Sequence, residues 1–247
     1  MIRLENLTKH FGKLVAVDHL DLTVRPGELF VFLGPNGAGK TTTIKMITGL
    51  LRPTEGRVVL CGYDVQEDYI EAKSRLAYVP DQPFLYEKLT GREFLAFVAS
   101  MYGVGKAETS RRIAELTELL DMTDFLDDPG ESYSHGMKQR VVISSALIHE
   151  PEVIVIDEPM VGLDPKGANT LKQLMRERTE RGVSIFMSTH TLGVAEETAD
   201  RVGIIRHGRL VALGTLDAIY EQAQTDQRLE EAFLRLTEEP QAEQRDA

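Results

Sequence analysis

The sequence of 247 residues is short of cysteine, of basic charge and of long apolar runs. Cys61 is its only cysteine, which excludes an intrachain disulfide and a thiolate metal cluster and fits a reducing compartment. Apolar stretches such as residues 30–33 and 153–156 are far shorter than the roughly 18 residues needed to span a bilayer. Residues 1–6 alternate polar and apolar side chains, unlike a secretion signal. We therefore expect no direct membrane span and a cytoplasmic location.

The chain carries 28 basic and 39 acidic residues, a formal net charge of −11. This balance repels polyphosphate backbones, so nucleic acid is not an expected partner. Residues 221–247 contain eight of the acidic and three of the basic residues. We expect them to form an acidic, partly helical C-terminal tail, with a helix around 229–236, beyond a domain of residues 1–220.

Hydrophobic periodicity divides the chain into strand-rich and helix-rich parts. The first part is predicted to be a small β layer with strands at 2–7, 14–17, 20–24 and 29–33. A helix at 40–50 and a strand at 57–60 follow. No strand pattern is found between about 84 and 150, where helices are predicted at 90–102, 107–120 and 134–149. An α/β frame resumes with strands at 153–157, 183–188, 202–205 and 210–213 and helices at 165–181 and up to 200.

A glycine-rich segment joins the strand predicted at 29–33 to the helix predicted at 40–50. It reads Gly-Pro-Asn-Gly-Ala-Gly-Lys-Thr, which fits the phosphate-loop pattern in the position that the pattern requires. The glycines let backbone amides curl around phosphate oxygens, the helix start adds partial positive charge, and Lys40 adds a full charge. Thr41 offers a hydroxyl to Mg²⁺. The pattern predicts a nucleotide site formed by Gly34, Asn36, Gly37, Ala38, Gly39, Lys40, Thr41 and Thr42.

Two acidic residues end the apolar strand predicted at 153–157. A carboxylate at the end of a buried strand usually needs a cation or a donor. We expect Asp157 to hold Mg²⁺ through its water shell and Glu158 to act as the general base for an attacking water. His190 follows the strand at 183–188, at the sheet edge where open α/β sheets place their ligands. It is expected to bind the γ-phosphate or to orient the water, although a lone histidine is more often structural.

The segment 133–140 reads Tyr-Ser-His-Gly-Met-Lys-Gln-Arg. Ser134 is predicted to cap an amphipathic helix, so that Ser134 and the Gly136 amide present a second anion-binding helix start. The segment resembles the signature motif, usually Leu-Ser-Gly-Gly-Gln, of the nucleotide-binding subunit of ATP-binding cassette (ABC) transporters. The resemblance covers residues 1 to about 220. It implies an α/β fold: a P-loop NTPase core with an N-terminal antiparallel β subdomain and an inserted α-helical subdomain at about 84–150.

The resemblance implies further roles. In this family the phosphate loop of one subunit faces the signature of a second subunit across a shared ATP. Binding of ATP would thus join two subunits, and hydrolysis would release them and move an attached membrane protein. Phe11 occupies the place of the aromatic residue that stacks on adenine, although an aromatic residue in a β layer also fits a core. Residues 162–164, Gly-Leu-Asp, resemble the loop that communicates across the dimer, and Asp164-Pro165 also reads as a plain helix start.

The sequence departs from the family pattern at two places. Residues 79–86 resemble the segment in which a glutamine follows the proline and contacts Mg²⁺ and water. That position is Asp81 here, and Gln82 comes one residue later, so either residue is a candidate metal ligand. His135 stands where a glycine is usual, which limits backbone freedom at the start of the signature helix. The run at 83–90 and the signature resemble exporter-type subunits.

These observations predict an ATP-hydrolysing motor subunit of an ABC transporter, with ATP and Mg²⁺ as cofactors. Its expected partners are a second ATPase subunit, identical or related, and a transmembrane permease contacted through a groove in the helical insertion. The predicted location is the inner face of the cell membrane. One alternative is a soluble, nucleotide-gated ABC switch on ribosomes or DNA, which would show two cassettes, a coiled coil or a basic face. Another is a P-loop kinase, which would not need residues 134–140.

Overall fold

Two β-sheets organise the chain in the computed structural model, which describes residues 1–225 and 228–237. The smaller sheet is antiparallel, in the order β2-β1-β4-β5. Its strands are β1 (Ile2–Phe11), β2 (Leu14–Val24), β4 (Glu55–Leu60) and β5 (Tyr63–Asp64). The larger sheet has the order β10-β9-β3-β8-β7-β6. Its strands are β3 (Leu29–Leu33), β6 (Leu76–Val79), β7 (Val153–Asp157), β8 (Ser184–Ser188), β9 (Arg201–Arg206) and β10 (Arg209–Gly214).

Nine α-helices lie in the described part of the chain. Two belong to the first third: α1 (Lys40–Ile47) and α2 (Tyr69–Ser74). The inserted region contains α3 (Gly91–Met101), α4 (Lys106–Leu119) and α5 (His135–Leu147). The remainder contains α6 (Pro165–Glu180), α7 (Leu192–Thr198), α8 (Leu216–Ala223) and α9 (Leu229–Thr237). The predicted α/β fold with an antiparallel β subdomain and a helical insertion is confirmed.

The larger sheet is buried on both faces because its strands alternate between two cores. In β3, Leu29, Val31 and Leu33 join the core formed with α3 to α9. Phe30 and Phe32 face the other way, into the core beneath the antiparallel sheet and α1. Phe186 of β8 completes an aromatic cluster there, 5.6 Å from the Phe30 ring and 5.2 Å from the Phe32 ring between centroids. This packing fixes the strand ends, from which the candidate site is built.

The structure corrects some details of the predicted elements. The strands expected at 14–17 and 20–24 form one continuous strand, because β-bulges in the β1–β2 ladder absorb the irregular pattern between them. The strand at 29–33 pairs in parallel with β8 and β9 in the larger sheet rather than joining the opening β layer. The elements β5, α2, β6 and α8 were not predicted; the first three span only two, six and four residues, too few to show a clear periodic pattern.

The predicted helix around 229–236 is present as α9. Leu229 and Ala232 have no exposed surface, and both belong to the main core. Residues 238–247, the end of the predicted acidic tail, lie outside the described residues. The boundary at residue 220 stays a prediction.

Among the residues described, no helix combines the length and the apolar character that a membrane span requires.

Candidate functional site

The phosphate loop connects β3 to α1, as its pattern predicts. Gly39 has φ 114°, and a Cβ there would lie 2.5 Å from the carbonyl oxygen of Ala16, so a larger residue fits neither the backbone nor the space. A Cβ on Gly34 would lie equally close to the Ile205 carbonyl oxygen. Gly39 caps α1 without a side-chain hydrogen bond. The first-turn amides of α1 therefore keep their capacity to bind an anion.

Lys40 is the first residue of α1, and its ammonium group is held over the loop. Its Nζ donates to the carbonyl oxygens of Gly34 at 2.6 Å and Pro35 at 3.2 Å. Burial lowers the pKa of Lys40, while the charges of Glu158 and Asp157 raise it. The structure therefore places one cation within electrostatic reach of the two acidic candidates.

A cavity of about 390 Å³ adjoins the phosphate loop and is lined by most of the predicted nucleotide-binding residues. Its walls include Phe11 and the loop and helix residues Asn36, Gly37, Ala38, Gly39, Lys40, Thr41 and Thr42. The Phe11 side chain is 48% exposed, too much for a core residue and appropriate for stacking on a flat ligand. Gly34 lies beneath this cavity, where its carbonyl oxygen holds Lys40. Sequence reasoning missed Ala16, His207 and Gly208, which also line the cavity and follow no recognisable motif.

Asp157 ends β7 beside Ser188, the last residue of β8 and its direct register partner. Asp157 is 4% exposed, and its Oδ1 accepts a short hydrogen bond from Ser188 Oγ. Burial raises the pKa of Asp157, the Ser188 hydrogen bond lowers it, and the charges of Asp81 and Glu158 raise it further. A buried carboxylate at a sheet edge, facing acidic neighbours, gains from a cation.

Glu158 follows in the left-handed backbone region, with φ 49°. Few residues other than glycine, asparagine and aspartate adopt this backbone conformation. Residues that do adopt it are enriched at functional sites. Its Oε2 accepts a hydrogen bond from Thr189 Oγ1 at 3.0 Å, and its Oε1 lies 2.7 Å from His190 Nδ1. The structure thus brings the two residues predicted to be catalytic, Glu158 and His190, into contact. Ser188 and Thr189, which precede His190, orient the two acids, a role that the sequence did not reveal.

The segment after β6 places Asp81 within electrostatic reach of the buried Asp157. Asp81 raises the pKa of Asp157, and it contributes after burial and Asp157 to a Tyr78 pKa of about 12. Asp81 Oδ1 accepts a hydrogen bond from the backbone N–H of Gln82 at 2.8 Å. Within the described ranges, no group of three or more acidic, histidine or cysteine side chains forms a ready metal cage. Binding of Mg²⁺ through one or two carboxylates together with substrate phosphates does not require such a cage.

Ser134 caps α5, as the sequence predicts. Its Oγ accepts from the Met137 N–H at 3.3 Å, and the Met137 sulfur accepts from the Ser134 N–H at 3.4 Å. Ser134 and Gly136 line a cavity that shares no residue with the one above the phosphate loop. Within one chain, the two predicted phosphate sites are therefore separate.

Comparisons with known proteins agree with this geometry. The family model described as "ABC transporter" matches residues 17–161. The linearmycin resistance ATP-binding protein LnrL of Bacillus subtilis (strain 168) is 38% identical over 215 residues, which are 87% of this chain and 69% of LnrL. The chain belongs to the ABC transporter family. As a member of this family it is an ATP-binding protein and an ATPase.

Further relatives of this ABC ATPase match most of its length. The SkfA peptide export ATP-binding protein SkfE of Bacillus subtilis (strain 168) is 36% identical over 224 residues, 91% of this chain and 93% of SkfE. A solved ATP-binding subunit of an ABC transporter is 36% identical, covers 96% of this chain and 100% of its own, and superposes with a TM-score of 0.92. The dimeric post-hydrolysis state of the cassette MJ0796, bound to ADP and Pi, is 27% identical in sequence. It covers 87% of this chain and 99% of its own, and it superposes with a TM-score of 0.80.

Proposed function

We propose that this ABC ATPase works as one half of an ATP-gated dimer that drives a separate transmembrane permease. The supporting observation is the separation of its two phosphate sites. The phosphate loop and the Ser134 helix start line two different cavities without a common residue, which supports a triphosphate held between two subunits rather than within one chain. A second copy, or a related subunit, supplies the missing side. The solved MJ0796 cassette, which is dimeric with ADP and Pi, is a relative with such an arrangement.

The residues at the sheet edge fit hydrolysis by in-line attack of water on the γ-phosphate. Glu158 takes the proton from the water, and its contacts with Thr189 and His190 hold the carboxylate in position. Lys40 and the amides of α1 bind the phosphates. Asp157 and Thr41, with Asp81 or Gln82, are the residues that would hold Mg²⁺. Bound there, the ion would neutralise charge on the phosphate oxygens.

An aromatic surface on the helical insertion is the proposed permease contact. It consists of Phe84, Tyr86, Phe97 and Met101, which are 44–70% exposed. The rings of Phe84 and Phe97 each lie 5.8 Å from that of Tyr86. Exposed clusters of large apolar side chains commonly mark interaction sites. A permease docked here would hold the ATPase on the inner, cytoplasmic face of the membrane, and the name of SkfE favours export.

Dimerisation of a hydrolysis-deficient variant tests the proposal. Glu158→Gln is expected to bind ATP, to lose turnover by roughly 10² to 10⁴-fold, and to form a dimer with Mg·ATP in analytical ultracentrifugation. The control is Glu158→Gln combined with Ser134→Ala, which removes the hydroxyl of the second phosphate site and is expected to weaken the dimer. A monomer at saturating Mg·ATP, or a dimer indifferent to Ser134, would contradict the proposal. Recovery from cells with ribosomes or DNA rather than with membranes would favour the soluble switch.

A further inference from the structure

Helices α8 and α9, the C-terminal helical pair, pack into the main core on one face of the larger sheet. Leu229 and Ala232 of α9 are fully buried in the main core, and Phe233 packs against the same core. Arg235 ties α9 back to α8, because its guanidinium donates to the carbonyl oxygens of Ala223 at 3.0 Å and of Gln224. Cationic groups at a helix C-terminus satisfy otherwise unpaired carbonyls. Helix α9 is thus part of the packed structure.

One carboxylate connects α9 to α7. Glu196 of α7 accepts a hydrogen bond from the backbone N–H of Leu229 at 2.8 Å, at the start of α9. It also accepts one from Tyr220 Oη of α8 at 3.4 Å. The first amides of a helix lack partners within the helix, and a carboxylate is a favourable acceptor for them. Glu196 therefore fixes α7 relative to the C-terminal pair.

The other end of α7 adjoins the catalytic loop. Helix α7 begins at Leu192, two residues after His190. Thr189 accepts from the Thr191 N–H at 3.1 Å and donates to Glu158, and His190 contacts Glu158 directly. The loop of residues 189–191 is therefore held by Glu158 on one side and by α7 on the other.

Phe233 of α9 lines a cavity together with the same loop. It forms one wall of a cavity of about 290 Å³ that begins at the phosphate loop. The other walls are Leu33, Gly34, Pro35, Asn36, Thr189, His190 and Leu192. A residue of α9 thus lines the same cavity as the phosphate loop and the histidine loop, although 43 positions of sequence separate Phe233 from His190.

We propose that α9 positions His190 for hydrolysis. Phe233 lines one cavity with the histidine loop, and the Glu196–Leu229 contact fixes α7, so we expect them together to keep the imidazole beside Glu158. Phe233 and Glu196 are positioning residues in this account, and they act through His190. The inference rests on the proposed role of His190 in hydrolysis. It makes the C-terminal helix a control point for ATPase rate.

A double-mutant cycle on the full chain tests this inference. Steady-state ATPase activity at saturating Mg·ATP and the equilibrium Kd for ATP are measured for the wild type, Phe233→Ala, His190→Ala and the double variant. We expect Phe233→Ala to lower kcat about tenfold, since a displacement near 1 Å can cost about a hundredfold, and to leave the Kd near its wild-type value. In the His190→Ala background the same substitution is expected to have no further effect.

Matched variants separate positioning from loss of packing. Phe233→Leu keeps an apolar wall and is expected to restore most of kcat. Leu234→Ala, on the next residue of α9 and 48% exposed, is expected to leave kcat unchanged. Where Phe233→Ala does not fold, Glu196→Ala takes its place in the cycle. Glu196→Gln is then the rescue, because its amide oxygen still accepts from Leu229.

Each result decides the inference. An unchanged kcat in folded Phe233→Ala, or equal losses in the wild-type and His190→Ala backgrounds, would overturn it while leaving the proposed ATPase mechanism in place. Wild-type kcat in His190→Ala alone would instead refute the role of His190, and the positioning proposal would fall with it. A loss of kcat that disappears in the His190→Ala background supports the inference.

Discussion

The imidazole of His135 lies directly against Gly162. A Cβ on Gly162 would collide with Cδ2 of His135, and a Cβ on Gly136 would come within 2.8 Å of the Gly162 carbonyl oxygen. Gly162 itself has φ +81°, in the region that favours glycine. The first turn of α5 and the loop before α6 are therefore fitted to each other at the two places where the sequence resembles the signature and the dimer-communication loop.

Gly162→Ala is expected to destabilise the protein more than its backbone conformation alone requires. Left-handed backbone costs a non-glycine residue about 1–2 kcal/mol, and the collision with His135 adds to that. Gly103→Ala is the matched control, because Gly103 has φ +71° and no atom within 4 Å of its Cβ position. Urea unfolding of the two variants measures the difference.

His135→Gly removes the collision and is expected to recover part of the stability lost in Gly162→Ala. The double-mutant cycle should therefore give a coupling free energy of about 0.5–3 kcal/mol, the range for residues in contact. Additive effects, or equal losses in Gly162→Ala and Gly103→Ala, would show that His135 does not constrain the loop.

Asp157→Asn is expected to stabilise the nucleotide-free protein while abolishing hydrolysis. Burial raises the pKa of Asp157, so the folded state prefers the protonated form, and its stability falls as the pH rises through that pKa. At pH 7 the asparagine removes an unfavourable buried charge and keeps an oxygen acceptor for Ser188. A gain of the order of 1 kcal/mol, or about 2–4 °C in Tm, is expected.

The pH dependence distinguishes this explanation from a general effect of lost charge. The difference in Tm between Asp157→Asn and the wild type should shrink as the pH is lowered, because the wild-type carboxyl then becomes protonated. Asp124→Asn, an exposed substitution with the same change in charge, should show no such gain at pH 7. A lower Tm for Asp157→Asn at pH 7 would contradict the prediction.

Local patterns were enough to predict most of the site from the sequence. The phosphate loop lies between β3 and α1, Asp157 ends β7, and Ser134 caps α5, because each depends on residues close together in the chain. The α/β fold followed from the alternation of strand and helix patterns. These features need no knowledge of contacts between distant segments.

Relationships between distant segments could not be predicted in this way. The pairing of Asp157 with Ser188 is set by the register of β7 and β8, and the approach of Asp81 to Asp157 depends on β6, a four-residue strand without a clear pattern. His207 reaches the nucleotide cavity through the turn between β9 and β10. The packing of α9 beside His190 depends on apolar residues whose partner surface the sequence does not identify.

Asp81→Asn is expected to change the Mg²⁺ dependence of hydrolysis more than Gln82→Ala does. The charge of Asp81 raises the pKa of the buried Asp157. Gln82 carries no charge, and its backbone N–H donates a hydrogen bond to Asp81. Loss of a group next to a metal ligand typically weakens metal binding 10- to 100-fold, so the Mg²⁺ concentration for half-maximal activity should rise by about that factor. A titration of ATPase activity with Mg²⁺ measures it. The opposite order of effects would assign the metal contact to Gln82.

Lys40→Ala is expected to weaken ATP binding itself, not just turnover. Lys40 supplies the cation nearest the loop, and its Nζ is already oriented by the carbonyl oxygens of Gly34 and Pro35. Hydrogen bonds to charged groups contribute about 1.5–3 kcal/mol, which corresponds to a Kd for ATP roughly 10- to 100-fold higher. Equilibrium titration with a fluorescent ATP analogue measures the change. Lys45→Ala, an exposed lysine on the same helix, is the control and should bind as the wild type does. An unchanged Kd in Lys40→Ala would contradict the assignment of residues 34–41 as the phosphate site, because that assignment requires the ammonium group to contact the phosphates.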